Sequence, residues 1–183
     1  MQLTIHTTES APSGSQGVLD GIATDLGLVP NLAASIAESP TLLAAFDGMR
    51  RAIAAGPLDP VLREVAGLAV GVAVDGAYGV AFHSTMLAGL GEDEASIAAM
   101  RSGAGPTDGT GRCGAVYALA QAVVRDRGKV PEPVLERARL AGITPAEVLD
   151  VVAECAFASL VGLVDNLAGR VPLDPFLAPR VWP

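Results

Sequence analysis

Apolar residues recur along this chain every three to four positions, in runs separated by glycine and proline. That spacing marks helices that pack by one face. Val18, Leu19, Ile22 and Leu26 predict a first helix, with Gly27 past its end. Pro30 opens a short helix over 32–37. A third helix begins near Pro40 and carries Leu42, Leu43, Phe46, Met49 and Ile53 before Gly56-Pro57 ends it. Asp59 then reads as an N-cap with Pro60 at the first helical position, and 60–74 is almost wholly apolar after Glu64. Gly76 starts a unit that runs to Leu90. Glu92, Asp93 and Glu94 suit the start of another short helix, where acids complement the dipole. A glycine-rich loop spans 103–111, and its sequence fits a lid or slack chain equally. Helices follow over 113–127 and 133–140. Thr144-Pro145-Ala146-Glu147 is a capping box for a long helix through Leu167. That helix is apolar nearly all round, which places it in the core or between subunits.

The pattern predicts an all-α fold: a tail over 1–15, then one domain over 16–183, built on a central helical hairpin from Pro60 to Leu90. The expected core includes Leu43, Phe46, Val65, Leu68, Val72, Met86, Leu87, Val116, Leu119, Val123, Val148, Val152 and Leu160. Composition agrees. Half the residues are apolar and 17% charged, which excludes a disordered chain, and only 4% are aromatic, which disfavours an all-β fold.

Net charge is −8 and no basic stripe exists, so nucleic acid is not an expected partner. The N-terminal segment has no apolar stretch of the secretory kind, and a cytoplasmic location is expected. Residues 65–82 form an apolar run with the single charge Asp75. Asp75-Gly76 reads as a helix break and Arg63, Glu64 and His83 flank the run, so no membrane span is expected. Cys113 and Cys155 have neither redox nor disulfide spacing and read as thiols.

The chemistry concentrates between Glu64 and His83. A carboxylate on an apolar helix is partly buried or lines a cavity, and burial should raise its pKa. His83 is the sole histidine outside the N-terminal tail, and Tyr78 adds a protic group. If the two helices form an antiparallel hairpin, Glu64 and His83 converge. A metal reading with Glu64, His83 and Asp75 as ligands is poor, because no paired His or clustered Cys/His spacing supports it.

The order of these residues resembles the alkylhydroperoxidase D / carboxymuconolactone decarboxylase family. That family has a Glu, a Cys-x-x-Cys twelve residues on, and a His four residues past the second Cys. Glu64, Gly76, Gly79 and His83 stand at those intervals here. Gly27-Leu28-Val29-Pro30-Asn31-Leu32, Ser39-Pro40, Leu58-Asp59-Pro60, 141–147, 165–166 and 172–176 are also similar to family segments, with the core motif over 59–103. The resemblance implies an AhpD-like helical fold and a homo-oligomer (dimer, trimer or hexamer). It also implies an active site at Glu64 and His83.

Both cysteine positions are glycine, so a thiol peroxidase lacks its nucleophile. The decarboxylase branch of that family works without cysteines or cofactor, and resemblance to it implies cofactor-free proton transfer of the decarboxylase, lyase or isomerase type on a small acidic or carbonyl compound. Glu64 is the expected base, His83 the acid or relay and Tyr78 a positioning donor. Gly76, Gly79 and Asp75 would hold the substrate or its anion at a helix start, with no metal or cofactor. The alternative is a non-catalytic ligand-binding or assembly member of the family.

Overall fold

The computed structural model describes residues 2–183, which form α-helices, turns and one short 3₁₀ turn, with no strand among them. The helices are α1 (Ser13–Leu26), α2 (Asn31–Ile36), α3 (Pro40–Ala54), α4 (Pro60–Ala73), α5 (Ala77–Gly89), α6 (Glu94–Arg101), α7 (Arg112–Arg125), α8 (Glu132–Leu140) and α9 (Pro145–Ala168). Their ends follow local chemistry. The Asp59 carboxylate accepts the Val61 and Leu62 N–H groups at the start of α4. Thr144 and Glu147 cap α9 reciprocally, and Gly27 and Gly169 close α1 and α9 in the left-handed region. α1 starts five residues before its first apolar pair, because Pro12 supplies the turn into it. The segment before it is docked rather than loose: the His6 N–H donates to the Ala34 carbonyl, and its ring meets Glu38 at 2.8 Å.

α4 and α5 form the expected hairpin and sit at the middle of the molecule. Every residue of α4 from Glu64 to Gly71 is buried, packed against α5, α7 and α9. One apolar cluster joins α4, α5, α7 and α9 through Val65, Leu68, Leu87, Leu119 and Val151. A second joins α1, α2 and α3 to α5 and the C-terminal segment through Leu19, Ile22, Leu43, Phe46 and Leu177. Of the expected core, Leu43, Phe46, Val65, Leu68, Leu87, Val116 and Leu119 are buried; Val72, Met86, Val123, Val148 and Leu160 lie at its margin. Val152 is a correction: it is 41% exposed, because the turn of α9 that faces inward carries Val151, Glu154 and Cys155 instead. Leu149 and Leu163 are also exposed on α9, so its apolar character all round is not matched by burial within one chain.

No helix among the described residues is long and apolar enough to cross a membrane. The 103–111 loop turns on the Asp108 carboxylate, which accepts the Thr110 and Gly111 N–H groups, and Arg137 of α8 donates to the Gly109 carbonyl. It lies against α7 and α8.

Candidate active site

α4 runs into the hairpin and α5 runs out, so residues early in α4 face residues late in α5. Two glycines one turn apart on α4 allow the close approach. A Cβ at Gly71 would stand 3.1 Å from Val80, and a Cβ at Gly67 would stand 2.1 Å from Cε1 of His83. Position 67 must therefore be bare for the imidazole to lie across α4. There the ring meets the carboxylate of Glu64: His83 Nδ1 is 2.8 Å from Glu64 Oε2. Arg63 Nε lies 3.3 Å from the other carboxylate oxygen. On the opposite side of the ring, Nε2 is 3.9 Å from Oε1 of Glu154, which projects from the middle of α9.

All three ionisable groups are buried, and their electrostatics are coupled. Burial pushes the Glu64 carboxyl up, but the His83 hydrogen bond and charge, aided by Arg63, outweigh it and hold the group below its ordinary value. The expected rise is thus reversed by a partner. Burial likewise opposes a charge on His83, yet the bond to Glu64 and the charges of Glu64 and Glu154 hold its pKa above the ordinary value. Glu64 and His83 therefore form an ion pair, with Nδ1–H donating to the carboxylate. Burial pushes the Glu154 carboxyl up to about 7; Glu64 adds to this and His83 opposes it. Glu154 is only 2% exposed and makes no hydrogen bond among the described residues.

The triad lines a cavity of about 410 Å³. Its walls are apolar, from Leu26, Leu28, Ile53, Phe82, Met86, Phe157 and Phe176, with Arg50 and Arg63 as the positive groups. A side lobe of about 80 Å³ reaches past His83 to Tyr78, Gly79, Phe157 and Val161. A larger cleft of about 670 Å³ lies between the N-terminal tail and the end of α9, but no acid, histidine or cysteine lines it. Chemistry singles out the smaller cavity.

The remaining sequence candidates are not brought to the Glu64–His83 pair. The Tyr78 hydroxyl donates to Asp174 Oδ2 at 2.5 Å and its N–H to Asp165 Oδ2 at 3.0 Å, so Tyr78 touches the lobe with its ring while its polar atoms are committed elsewhere. The start of α5, expected to offer free N–H groups to an anion, is thus met by the protein's own carboxylate. Asp75 is exposed at the far end of α4, about 16 Å of helix from Glu64. It pairs with Arg170 at 3.1 Å, which removes it from any ligand set with His83. Gly76 lines neither the cavity nor the lobe; a Cβ there would stand 3.0 Å from Cα of Gly162. Gly79 does border the lobe. Cys155 lies buried with its thiol pushed up to about 12, and burial also raises Cys113. Neither sulfur lines the cavity.

Neither Glu154 nor Gly67 stands out among the sequence candidates. The signal for Glu154 was present, since it is the sole charge between Val151 and Val164. Gly67 looked like one more small residue on an apolar helix.

Residues 40–122 match the model of the carboxymuconolactone decarboxylase family, a stretch that contains Glu64, Gly67 and His83. Over that stretch the chain is similar to this family. Its fold is AhpD-like. The chain superimposes on an uncharacterized peroxidase-related protein of Ralstonia eutropha JMP134 with an alkylhydroperoxidase AhpD core, at 20% identity and TM-score 0.78, covering 96% of this chain and 94% of that one. A peroxidase-related protein of Silicibacter sp. TM1040 gives 19% identity and TM-score 0.77 over 97% and 93%. The debrominase Bmp8, solved with 2,3,4-tribromopyrrole, gives 15% identity and TM-score 0.78 over 98% and 95%. No curated protein matches the sequence at a significant level. At such identities the likeness is one of fold. Within the carboxymuconolactone decarboxylase family frame, Glu154 comes from α9, outside the matched stretch.

Proposed function

We propose that this protein is a member of the carboxymuconolactone decarboxylase family and catalyses cofactor-free proton transfer, of the decarboxylase, lyase or isomerase type, on a small acidic or carbonyl compound. The observation that carries this reading is the Glu64–His83 pair, closed at 2.8 Å, on the wall of a largely apolar cavity. An apolar site weakens competition from water and strengthens each charge within it. Glu64 spends its oxygens on the imidazole and on Arg63, so it acts by fixing the ring's charge and orientation. His83 Nε2, the ring nitrogen on the side away from Glu64, is the acid presented to the ligand. Gly79 leaves room for a substituent in the side lobe.

A thiol peroxidase is a poor fit, because a nucleophilic sulfur has to be a thiolate and both thiols here are held protonated, away from the cavity. Cytoplasmic location and a homo-oligomer joined through the exposed apolar face of α9 complete the reading. A non-catalytic ligand-binding member is the second reading, favoured by the glycines at 76 and 79.

One experiment separates the two. Turnover of a panel of lactones, enols and keto acids is measured for the wild type, Glu64→Gln and His83→Ala. We expect His83→Ala to lose about 10²–10⁴-fold in kcat, and Glu64→Gln to lose activity and shift the pH profile. Ligand binding without turnover supports the second reading. Turnover indifferent to both substitutions removes the pair from the mechanism.

A further inference from the structure

The Glu154 carboxylate is the one acid of the cavity left open. Of the groups on that wall, Glu64 of α4 engages both Arg63 and His83, and Arg50 of α3 is held by Asp25 and Asp47 at 2.7 and 2.6 Å. His83 Nε2 of α5 stands 3.9 Å from Glu154 Oε1, too far for a hydrogen bond. Buried acids elsewhere in the molecule accept several donors. A buried carboxyl with none is costly, and its retention at a cavity marks a built acceptor.

The gap also has a useful size. In a carbonyl compound the oxygen and the adjacent carbon lie about 2.4 Å apart, from a C=O bond of about 1.2 Å and a C–C bond of about 1.5 Å. Two groups separated by 3.9 Å reach both atoms at once, one each. Burial brings the Glu154 carboxyl to about 7 while Glu64 keeps the imidazole protonated, so one base and one acid coexist near neutral pH.

We propose that Glu154 is a second catalytic residue, which exchanges a proton with the carbon next to a ligand carbonyl while His83 serves the carbonyl oxygen. Glu154 takes the proton from carbon, and the C–H electron pair becomes the C=C bond. The carbonyl π pair moves to oxygen, which takes the proton from His83 Nε2. The products are the enol, a protonated Glu154 and a neutral imidazole. A bridging water returns the proton from Glu154 to His83, so ketone and enol interconvert with no co-reactant. This inference rests on the proposed function and narrows its substrate class to enolisable carbonyl compounds.

The test follows α-proton exchange from D₂O into phenylacetone and phenylpyruvate by proton NMR, with the full chain. The wild type should exceed the buffer rate, and Glu154→Gln should slow the exchange about 10²–10⁴-fold with unaltered circular dichroism. A wild type at the buffer rate with both probes overturns the proposal, as does Glu154→Gln at the wild-type rate. Should the variant misfold, carbon-13 titration of the wild-type carboxyl decides: a Glu154 resonance titrating in the ordinary carboxylate range overturns it. Loss of lactone or keto-acid turnover in His83→Ala but not in Glu154→Gln removes this inference and keeps the proposed function. The opposite pattern removes the proposed function.

Discussion

Helix α5 carries two residues that each stand between a pair of buried acids, Tyr78 at its start and His83 about one and a half turns on. Around Tyr78 the acids are saturated. Asp165, fully buried, accepts the Tyr78 N–H, the Val171 N–H at 2.8 Å and Arg170 Nη1 at 3.4 Å. Asp174 accepts the Asn31 N–H at 3.1 Å and the Tyr78 hydroxyl. Most of those donors are backbone, so the acids tie α2, α5, α9 and the C-terminal segment into one unit. Around His83 one acid holds the ring and the other faces a cavity with no donor. Residue type and depth of burial are alike in the two places. What separates the two pairs of acids is how many donors meet them.

Four changes test that contrast, the largest effect first. Asp165→Ala leaves the Tyr78 and Val171 N–H groups unpaired, and urea unfolding should show a loss of about 3–5 kcal/mol, with activity per folded molecule retained. Gly67→Ala places a methyl group into the imidazole, and should lose about 1–3 kcal/mol and most turnover together, since the ring must leave Glu64. A variant that keeps turnover would mean that the Glu64–His83 contact is dispensable.

The smallest change concerns pH. Glu154 has a folded pKa of about 7 against an ordinary 4.5, so the folded state holds the extra proton and stability falls as pH rises between those values. Glu154→Gln removes that slope and should raise Tm at pH 8 while leaving it unchanged at pH 5. The Glu64–His83 pair acts differently. Glu64, lowered, stabilises above 4.5 and loses this as pH falls through its folded value; His83, raised, stabilises below 6.5 and loses this as pH climbs through its own. The pair is at full strength between 4.5 and 6.5, and thermal scans of His83→Ala across pH should show the largest deficit there.

Much of this was legible in the chain. Punctuation by Gly and Pro, the Asp59 and Thr144 caps and helical spacing define the helices, because those signals are local. The hairpin follows from one break at Asp75-Gly76, and it brings Glu64 to His83. Across-helix relations were harder to read. Tyr78 looked like part of the site because it shares a helix with His83, yet its hydroxyl partner Asp174 lies 96 residues away. Glu154 was hidden for the same reason: its approach to His83 depends on how α9 crosses the hairpin, which no periodicity records. Val152 was placed inside on hydrophobicity alone, while its neighbour Val151 took the inward face.

The near-contact of backbones between α5 and α9 makes the absence of sulfur unequal at its two positions. Gly76 and Gly162 are each other's neighbours, and at 162 any methyl would also strike Val74, its Cβ falling 2.4 Å from Val74 Cγ2. At Gly79 a new Cβ meets only ordinary van der Waals neighbours, the nearest at 3.8 Å. A side chain at 79 is accommodated as the chain stands, whereas one at 76 requires the start of α5 and the backbone of α9 to part by a few tenths of an ångström.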